Sequence, residues 1–106
     1  MPWTPTTSYP LYVASQSCVA SSGYAYCVGG YTDSPIDAVY YAPLSSAGVG
    51  AWTQTTSYPL DVSTQSCVAD SGYVYCIGGG NGIGTDTVYY APLSSAGVGA
   101  WTQTTS

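Results

Sequence analysis

Apolar residues are concentrated in short runs that are separated by turn-forming residues. In the first half of the chain, runs near 16–20, 24–29, 37–42 and 51–56 are rich in β-branched and aromatic residues, which favour strands. Gly, Pro, Ser and Asp fill the gaps between these runs, as turns require. No stretch has a sustained helical period. The pattern therefore predicts four short strands and no helix.

The same pattern is repeated after 49 residues, as the positions of Trp3, Trp52 and Trp101 show. Residues 3–51 align with 52–100 without a gap and differ at 14 positions. The strands predicted in the first copy therefore recur in the second, each shifted by 49 residues. Four strands in such a period are typical of one blade of a β-propeller, for which about 40 to 50 residues are expected.

Several motifs in each copy resemble those of kelch repeats. A strand run at 16–30 ends in Gly-Gly, Val-Tyr-Tyr follows at 39–41, and Trp52 stands further on. Ser-Tyr-Pro segments at 8–10 and 57–59 extend the likeness along nearly the whole chain. The resemblance implies an all-β fold with two blades per chain. Each blade would be a four-stranded antiparallel meander that packs face to face with its neighbours around a central axis.

One segment of the outer strand is present in excess. Three copies of it stand at 3–8, 52–57 and 101–106, although the other strands occur in two sets. We therefore expect a surplus outer strand at 1–8, a first blade at 9–57 and a second blade at 58–106. In the alternatives, the C-terminal copy is the surplus one, or one copy is donated to a neighbouring chain as an added strand.

The four cysteines form two pairs with equal spacing. A two-residue turn at Ser22-Gly23 places Cys18 opposite Cys27 at a non-hydrogen-bonded position, where Cα atoms are about 4.5 Å apart and a disulfide can form. A turn at Ser71-Gly72 places Cys67 opposite Cys76 in the same register. A zinc site is the alternative, but it favours a tighter Cys-x-x-Cys spacing. Disulfides predict an oxidising compartment, extracellular or at the cell surface, with the signal segment absent from this chain.

The charge composition excludes several classes of function. The chain has no Lys, Arg or His, and its five acidic residues are all Asp. Nucleic-acid binding needs cations that neutralise phosphates, so it is not expected. No apolar run reaches the roughly 18 residues of a transmembrane helix, so membrane insertion is not expected either.

The chain lacks several of the side chains that enzymes use as nucleophiles, acids and bases. Without His, Lys or Glu, neither a Ser-His-Asp arrangement nor a Schiff-base lysine can form. Asp37 and Asp86 could serve as a glycosidase pair, but their equivalent positions near a turn favour capping. Asn81-Gly82 with Asp86 supplies too few oxygens for calcium. We therefore expect no enzyme activity, no cofactor and no metal.

The differences between the two copies are concentrated in the loops of one rim. Nine of the 14 differences lie in these loops. Six separate residues 31–36 from 80–85, and three separate residues 12, 14 and 15 from 61, 63 and 64. Loops on a rigid scaffold often bind ligands, although loop tips also vary freely when nothing constrains them. The candidate binding loops are 9–15, 31–36, 58–64 and 80–85. Their candidate residues are Tyr12, Tyr31, Asp33, Asp61 and Asn81.

Two blades are too few for a stable repeat protein on their own, because about three or more units are usually needed to bury the faces. We expect a homo-oligomer with an even number of blades, six or eight, or a strand-exchanged polymer. The leading hypothesis is an extracellular, non-catalytic, self-assembling structural module. The alternative is a lectin-like or adhesive module that binds a glycan or protein through the variable loops.

Overall fold

The described part of the chain is entirely β. The computed structural model describes residues 9–10, 16–32, 34, 36–46, 48–59, 65–80 and 87–104. Its strands in chain order are β1 (Ser17–Ser21), β2 (Tyr24–Val28), β3 (Val39–Ser45), β4 (Gly48–Val49), β5 (Thr53–Gln54), β6 (Ser66–Asp70), β7 (Tyr73–Ile77), β8 (Val88–Ser94), β9 (Gly97–Val98) and β10 (Thr102–Gln103). Within these ranges, no helix has the length and hydropathy needed to cross a membrane.

The strands form two antiparallel, blade-like sheets with the same topology. The first sheet has the order β1-β2-β3-β5, and β4 pairs with the end of β3. The second has the order β6-β7-β8-β10, and β9 pairs with the end of β8. The outer strands β5 and β10 both follow a tryptophan in the sequence. The predicted all-β fold, with one four-stranded meander in each copy, is confirmed.

A tight hairpin sets the register of each sheet. Ser22 and Gly23 have positive φ values of 51° and 84°, as a type I′ turn requires. Ser21 therefore faces Tyr24, and Cys18 faces Cys27. Ser71-Gly72 repeats the turn in the second sheet. The predicted turn and register are confirmed.

The third and fourth strands differ from their predicted bounds. The third runs over Val39–Ser45 where 37–42 was expected, and the outer strand has only the two residues Thr53–Gln54. The predicted strand ended at residue 42, whereas the observed one passes through Pro43, which has no N–H to donate. The structure continues the strand because the Pro43 carbonyl accepts from Gly50 N–H at 2.9 Å, while Leu44 N–H donates to the Gly23 carbonyl at 2.8 Å.

Each sheet has two distinct faces, because side chains alternate along its strands. We call the one that carries most tyrosines the tyrosine face. Its main residues are Val19, Tyr24, Tyr26, Val28 and Tyr41 in the first sheet, and Val68, Tyr73, Tyr75, Ile77 and Tyr90 in the second. The other is the disulfide face. Its main residues are Cys18, Ala20, Ala25, Cys27 and Leu44 in the first sheet, and Cys67, Ala69, Val74, Cys76 and Leu93 in the second.

The hydrophobic core lies between the two sheets. The tyrosine face of the first sheet contributes Tyr26, Val28 and Val39 to one buried cluster. The disulfide face of the second sheet contributes Cys67, Val74, Cys76, Ala91 and Val98, and Tyr58 completes the cluster. Unlike faces of the two sheets therefore pack on each other, and we call this contact the internal junction.

Candidate functional site

Three hydrogen bonds join the two sheets at the internal junction. The buried Gln65 side chain donates from Nε2 to the Val28 carbonyl at 2.8 Å. The Tyr26 hydroxyl donates to the Ser94 carbonyl at 2.9 Å. The backbone N–H of Cys67 donates to Ser17 Oγ, also at 2.9 Å. Specific polar contacts therefore fix the position of one face on the other, in addition to apolar packing.

Threonines that follow the outer strand β5 of the first sheet hold the outer part of the same junction. Thr55 and Thr56 donate from Oγ1 to the Val98 carbonyl at 3.2 and 2.7 Å, and Val98 N–H donates back to Thr55 Oγ1 at 3.0 Å. Space at this contact is tight, because a methyl group on Gly97 would lie 2.5 Å from Thr55 Oγ1 and 2.9 Å from Tyr41 Cε1. The junction is thus closely fitted from its inner to its outer edge.

Tyr58 is the largest side chain that the outer part of the core buries. Its ring makes edge-to-face contacts with Tyr89 and Trp101, with centroids 5.3 and 4.8 Å apart. Its hydroxyl has no hydrogen-bond partner among the described residues. Burial, and then the neighbouring Tyr89, raises the Tyr58 pKa to about 12. Tyr9 has an equivalent setting beside Tyr40, where burial likewise raises its pKa to about 12.

The other tyrosine face and the other disulfide face lie on the outside of the two sheets that the structure describes. On the tyrosine face of the second sheet, Ile77 is 51% exposed, whereas its counterpart Val28 is 0% exposed at the internal junction. Val68 is 52% exposed on that outer face. On the disulfide face of the first sheet, Cys18, Ala20 and Leu44 are exposed, whereas Cys27 and Ala42 at its centre are buried. Among the described residues, no second sheet covers the tyrosine face of the second sheet or the exposed part of this disulfide face, and we call these two the free faces.

Both cysteine pairs form disulfides, as the sequence predicted. The Cα atoms of Cys18 and Cys27 are 4.0 Å apart, and those of Cys67 and Cys76 are 4.1 Å apart. No free cysteine remains, so the alternative zinc site is wrong. Disulfide bonds of this kind persist in an oxidising environment. Both cysteines of the second pair are buried, whereas in the first pair Cys27 is buried and Cys18 is exposed.

A cleft of about 240 Å³ opens between the sheets beside the hairpin turns. It is lined by Ser21, Ser22, Tyr24, Tyr26, Gly72, Leu93, Ser94 and Ser95. None of these side chains is charged. The cleft could not be predicted from the sequence, because its walls come from both sheets and meet only when the sheets pack.

The predicted binding loops lie largely outside the described residues. This applies to Tyr12, Asp33, Asp61 and Asn81. Tyr31 is described and is 46% exposed, and the Ile36 N–H donates to the Gly30 carbonyl across the same loop at 3.0 Å. Binding by these loops stays a prediction. Among the described residues, no group of three or more acidic or cysteine side chains could hold a metal ion.

Comparison with models of known protein families and with curated proteins gave no match for this chain. The likeness to kelch repeats therefore rests on the motifs in the sequence. The sheets themselves establish an all-β fold with two blade-like units.

Proposed function

We propose that this protein is a non-catalytic structural module whose sheets associate face to face with those of other copies. The observation that carries the proposal is the contrast between Val28, fully buried at the internal junction, and Ile77, half exposed at the equivalent position outside. The molecule thus contains one completed junction between unlike faces and the two faces needed for another.

Burial of the free tyrosine face supplies the free energy for association. Fully burying a Val, Leu, Ile or Phe side chain is worth about 1.5–3 kcal/mol. Val68 and Ile77 are about half exposed, so each would contribute on the order of 1 kcal/mol when covered. Tyr73 is also exposed on this face. An apolar patch of this kind, surrounded by polar residues, is typical of a protein–protein interface.

The disulfides, the lack of cationic side chains and the resemblance to kelch repeats support an extracellular propeller assembled from several chains. The expected products are closed rings of six or eight sheets, or a polymer linked by an exchanged outer strand. Because no Lys, Arg or His is present, side-chain ion pairs cannot hold the copies together. Apolar burial and hydrogen bonds to backbone groups must do so.

The mass of the assembly in solution tests this proposal. Size exclusion with light scattering under non-reducing conditions should give a trimer, a tetramer or a larger polymer. Removal of residues 1–8 separates a closed ring, which is the trimer or the tetramer, from a strand-linked polymer. It should leave the ring intact and should shorten the polymer. A folded monomer at all accessible concentrations would overturn the proposal.

A second candidate function is ligand binding by the variable loops, and the exposed ring of Tyr31 favours it. A glycan and protein array is the appropriate screen. Replacing residues 31–36 by the sequence of 80–85 should then abolish any specific signal, whereas replacing 80–85 by the sequence of 31–36 serves as the matched control. An unchanged signal in the first variant would exclude these loops.

A further inference from the structure

We infer that one copy binds the next head to tail, with the tyrosine face of its second sheet on the disulfide face of the first sheet of its neighbour. This inference rests on the proposed self-association and defines its partner and orientation. It follows from the internal junction, where these two kinds of face already meet. Since the copies repeat with a shift of 49 residues, the same contact can be formed between chains.

The inner hydrogen bonds of the internal junction can be repeated between chains, because both partners exist at the free faces. Gln65 corresponds to Gln16, and Val28 corresponds to Ile77. Gln16 of a second copy would therefore donate to the Ile77 carbonyl. In the same way, the Cys18 N–H of the second copy would donate to the Ser66 hydroxyl, as Cys67 N–H donates to Ser17 within the chain.

Three sequence differences lie in the strands of these faces. One replaces Ser21 by the exposed Asp70 beside the hairpin turn, and the other two keep the volume of the contact nearly constant. The internal junction buries Val28 from one face and Val74 from the other. Their counterparts are Ile77, which is larger than Val28, and Ala25, which is smaller than Val74. A junction between chains would thus combine a larger side chain with a smaller one. Volume-conserving exchanges of this kind are the ones that cores tolerate best.

Head-to-tail contact differs in its consequences from a two-fold contact. An isologous dimer would pair two tyrosine faces and would leave both disulfide faces bare. A heterologous contact covers both kinds of face in every copy, and repeated application gives a ring if the rotation closes or a helical filament if it does not. Every junction would then resemble the one inside the chain.

Mixing of two complementary variants tests the orientation. In one, Val68→Glu and Ile77→Glu place charges on the free tyrosine face. In the other, Ala20→Glu and Leu44→Glu place them on the free disulfide face. All four sites are exposed in the single chain, so both variants should keep their fold. The first variant keeps its free disulfide face, and the second variant keeps its free tyrosine face. These two faces are the ones that the proposed contact pairs.

We expect each variant alone to be a monomer and an equimolar mixture to form a 1:1 dimer by light scattering. If the wild-type chains associate but the mixture of the two variants stays monomeric, the head-to-tail inference is overturned. The proposed function is not affected by that result. Dimers of the second variant alone would show pairing of like tyrosine faces and would also overturn it. Monomeric wild type would overturn the proposed function itself.

Two controls keep the test decisive. Ile77→Val installs the residue found at position 28 and should leave association within about fourfold of wild type, since it removes only one methylene. The near-ultraviolet circular dichroism of the tyrosines should match wild type in both glutamate variants. If it does not, the milder pair Ile77→Thr and Leu44→Thr is used in the same mixing design, with the same outcomes.

Discussion

The buried amide of Gln65 donates to the Val28 carbonyl over 2.8 Å, from the start of the second sheet to the last residue of β2 in the first. This bond satisfies a backbone acceptor that the packing of the sheets removes from water. A buried polar group without a partner costs about 1–3 kcal/mol. Gln65 therefore links sheet packing to backbone hydrogen bonding at the centre of the internal junction.

Gln65→Met should lower the free energy of unfolding by about 1 kcal/mol, because it keeps the length of the side chain but leaves the Val28 carbonyl without its donor. The loss is small for a buried polar contact, since the Gln65 Oε1 that the variant removes has no partner among the described residues. Urea unfolding in the Val68→Glu and Ile77→Glu background, which should remove the proposed self-association, is the measurement. Gln16→Met is the matched control and should affect association in the wild-type background much more than unfolding. Equal losses of unfolding free energy in both variants would contradict this assignment.

Tyr58→Phe should preserve or slightly raise stability at neutral pH, since the Tyr58 hydroxyl has no partner among the described residues. Burial raises the pKa of Tyr58 from 10.0 to about 12 in the folded chain. Its contribution to stability is therefore fully present below pH 10 and is lost as the pH rises through 12. Unfolding curves between pH 9 and about 12 should fall less steeply for Tyr58→Phe than for wild type. Identical slopes would show that this phenol does not control the alkaline transition.

Removal of the two disulfides should have unequal effects. Replacing Cys18 and Cys27 by alanine should cost about 2 kcal/mol, mainly by releasing a short loop in the unfolded chain. The Cys67 and Cys76 pair also lies in the core, so its replacement should cost on the order of 1 kcal/mol more. Urea unfolding of both double variants in the assembly-deficient background measures the difference. A larger loss for the first pair would contradict the observed burial.

Gly97→Ala should destabilise the internal junction by about 2 kcal/mol or more, because the new methyl group would meet Thr55 and Tyr41 where a positive φ already favours glycine. Gly48→Ala is the matched variant, because the φ of Gly48 is 112° and that of Gly97 is 109°. The free-energy cost of placing alanine at such a φ is therefore the same in both variants. The difference in their unfolding free energies therefore reports the side-chain contact. In the head-to-tail assembly, Gly48→Ala should also weaken association, since it would face Tyr90 and Thr104 of the next copy.

Salt should strengthen association. The chain has a formal charge of −5 and no cationic side chain, so added salt screens repulsion and breaks no side-chain ion pair. Sulfate also favours apolar burial. Light scattering in 0 to about 0.5 M sodium sulfate should show the dissociation constant falling as the salt concentration rises. A constant that rises with salt would indicate attractive charge contacts that the proposed interface does not contain.

Local features of the fold could be predicted from the sequence because each depends on residues that are close in the chain. The Ser22-Gly23 turn fixes the hairpin register, and that register alone brings Cys18 to Cys27. The end of the third strand was predicted wrongly at residue 42, whereas the strand continues to Ser45 through Pro43. Its carbonyl still pairs with Gly50 N–H, a contact that depends on how the chain returns beyond the strand.

The repeat, the approximate positions of the strands and the disulfide pairing could be read from the sequence alone. Which copy of each face is buried became clear only from the packing of the two sheets. Val28 and Ile77 are alike in sequence context, yet one is fully buried and the other half exposed. This difference arises because a repeat makes the local pattern identical in both sheets, whereas packing joins the tyrosine face of one to the disulfide face of the other.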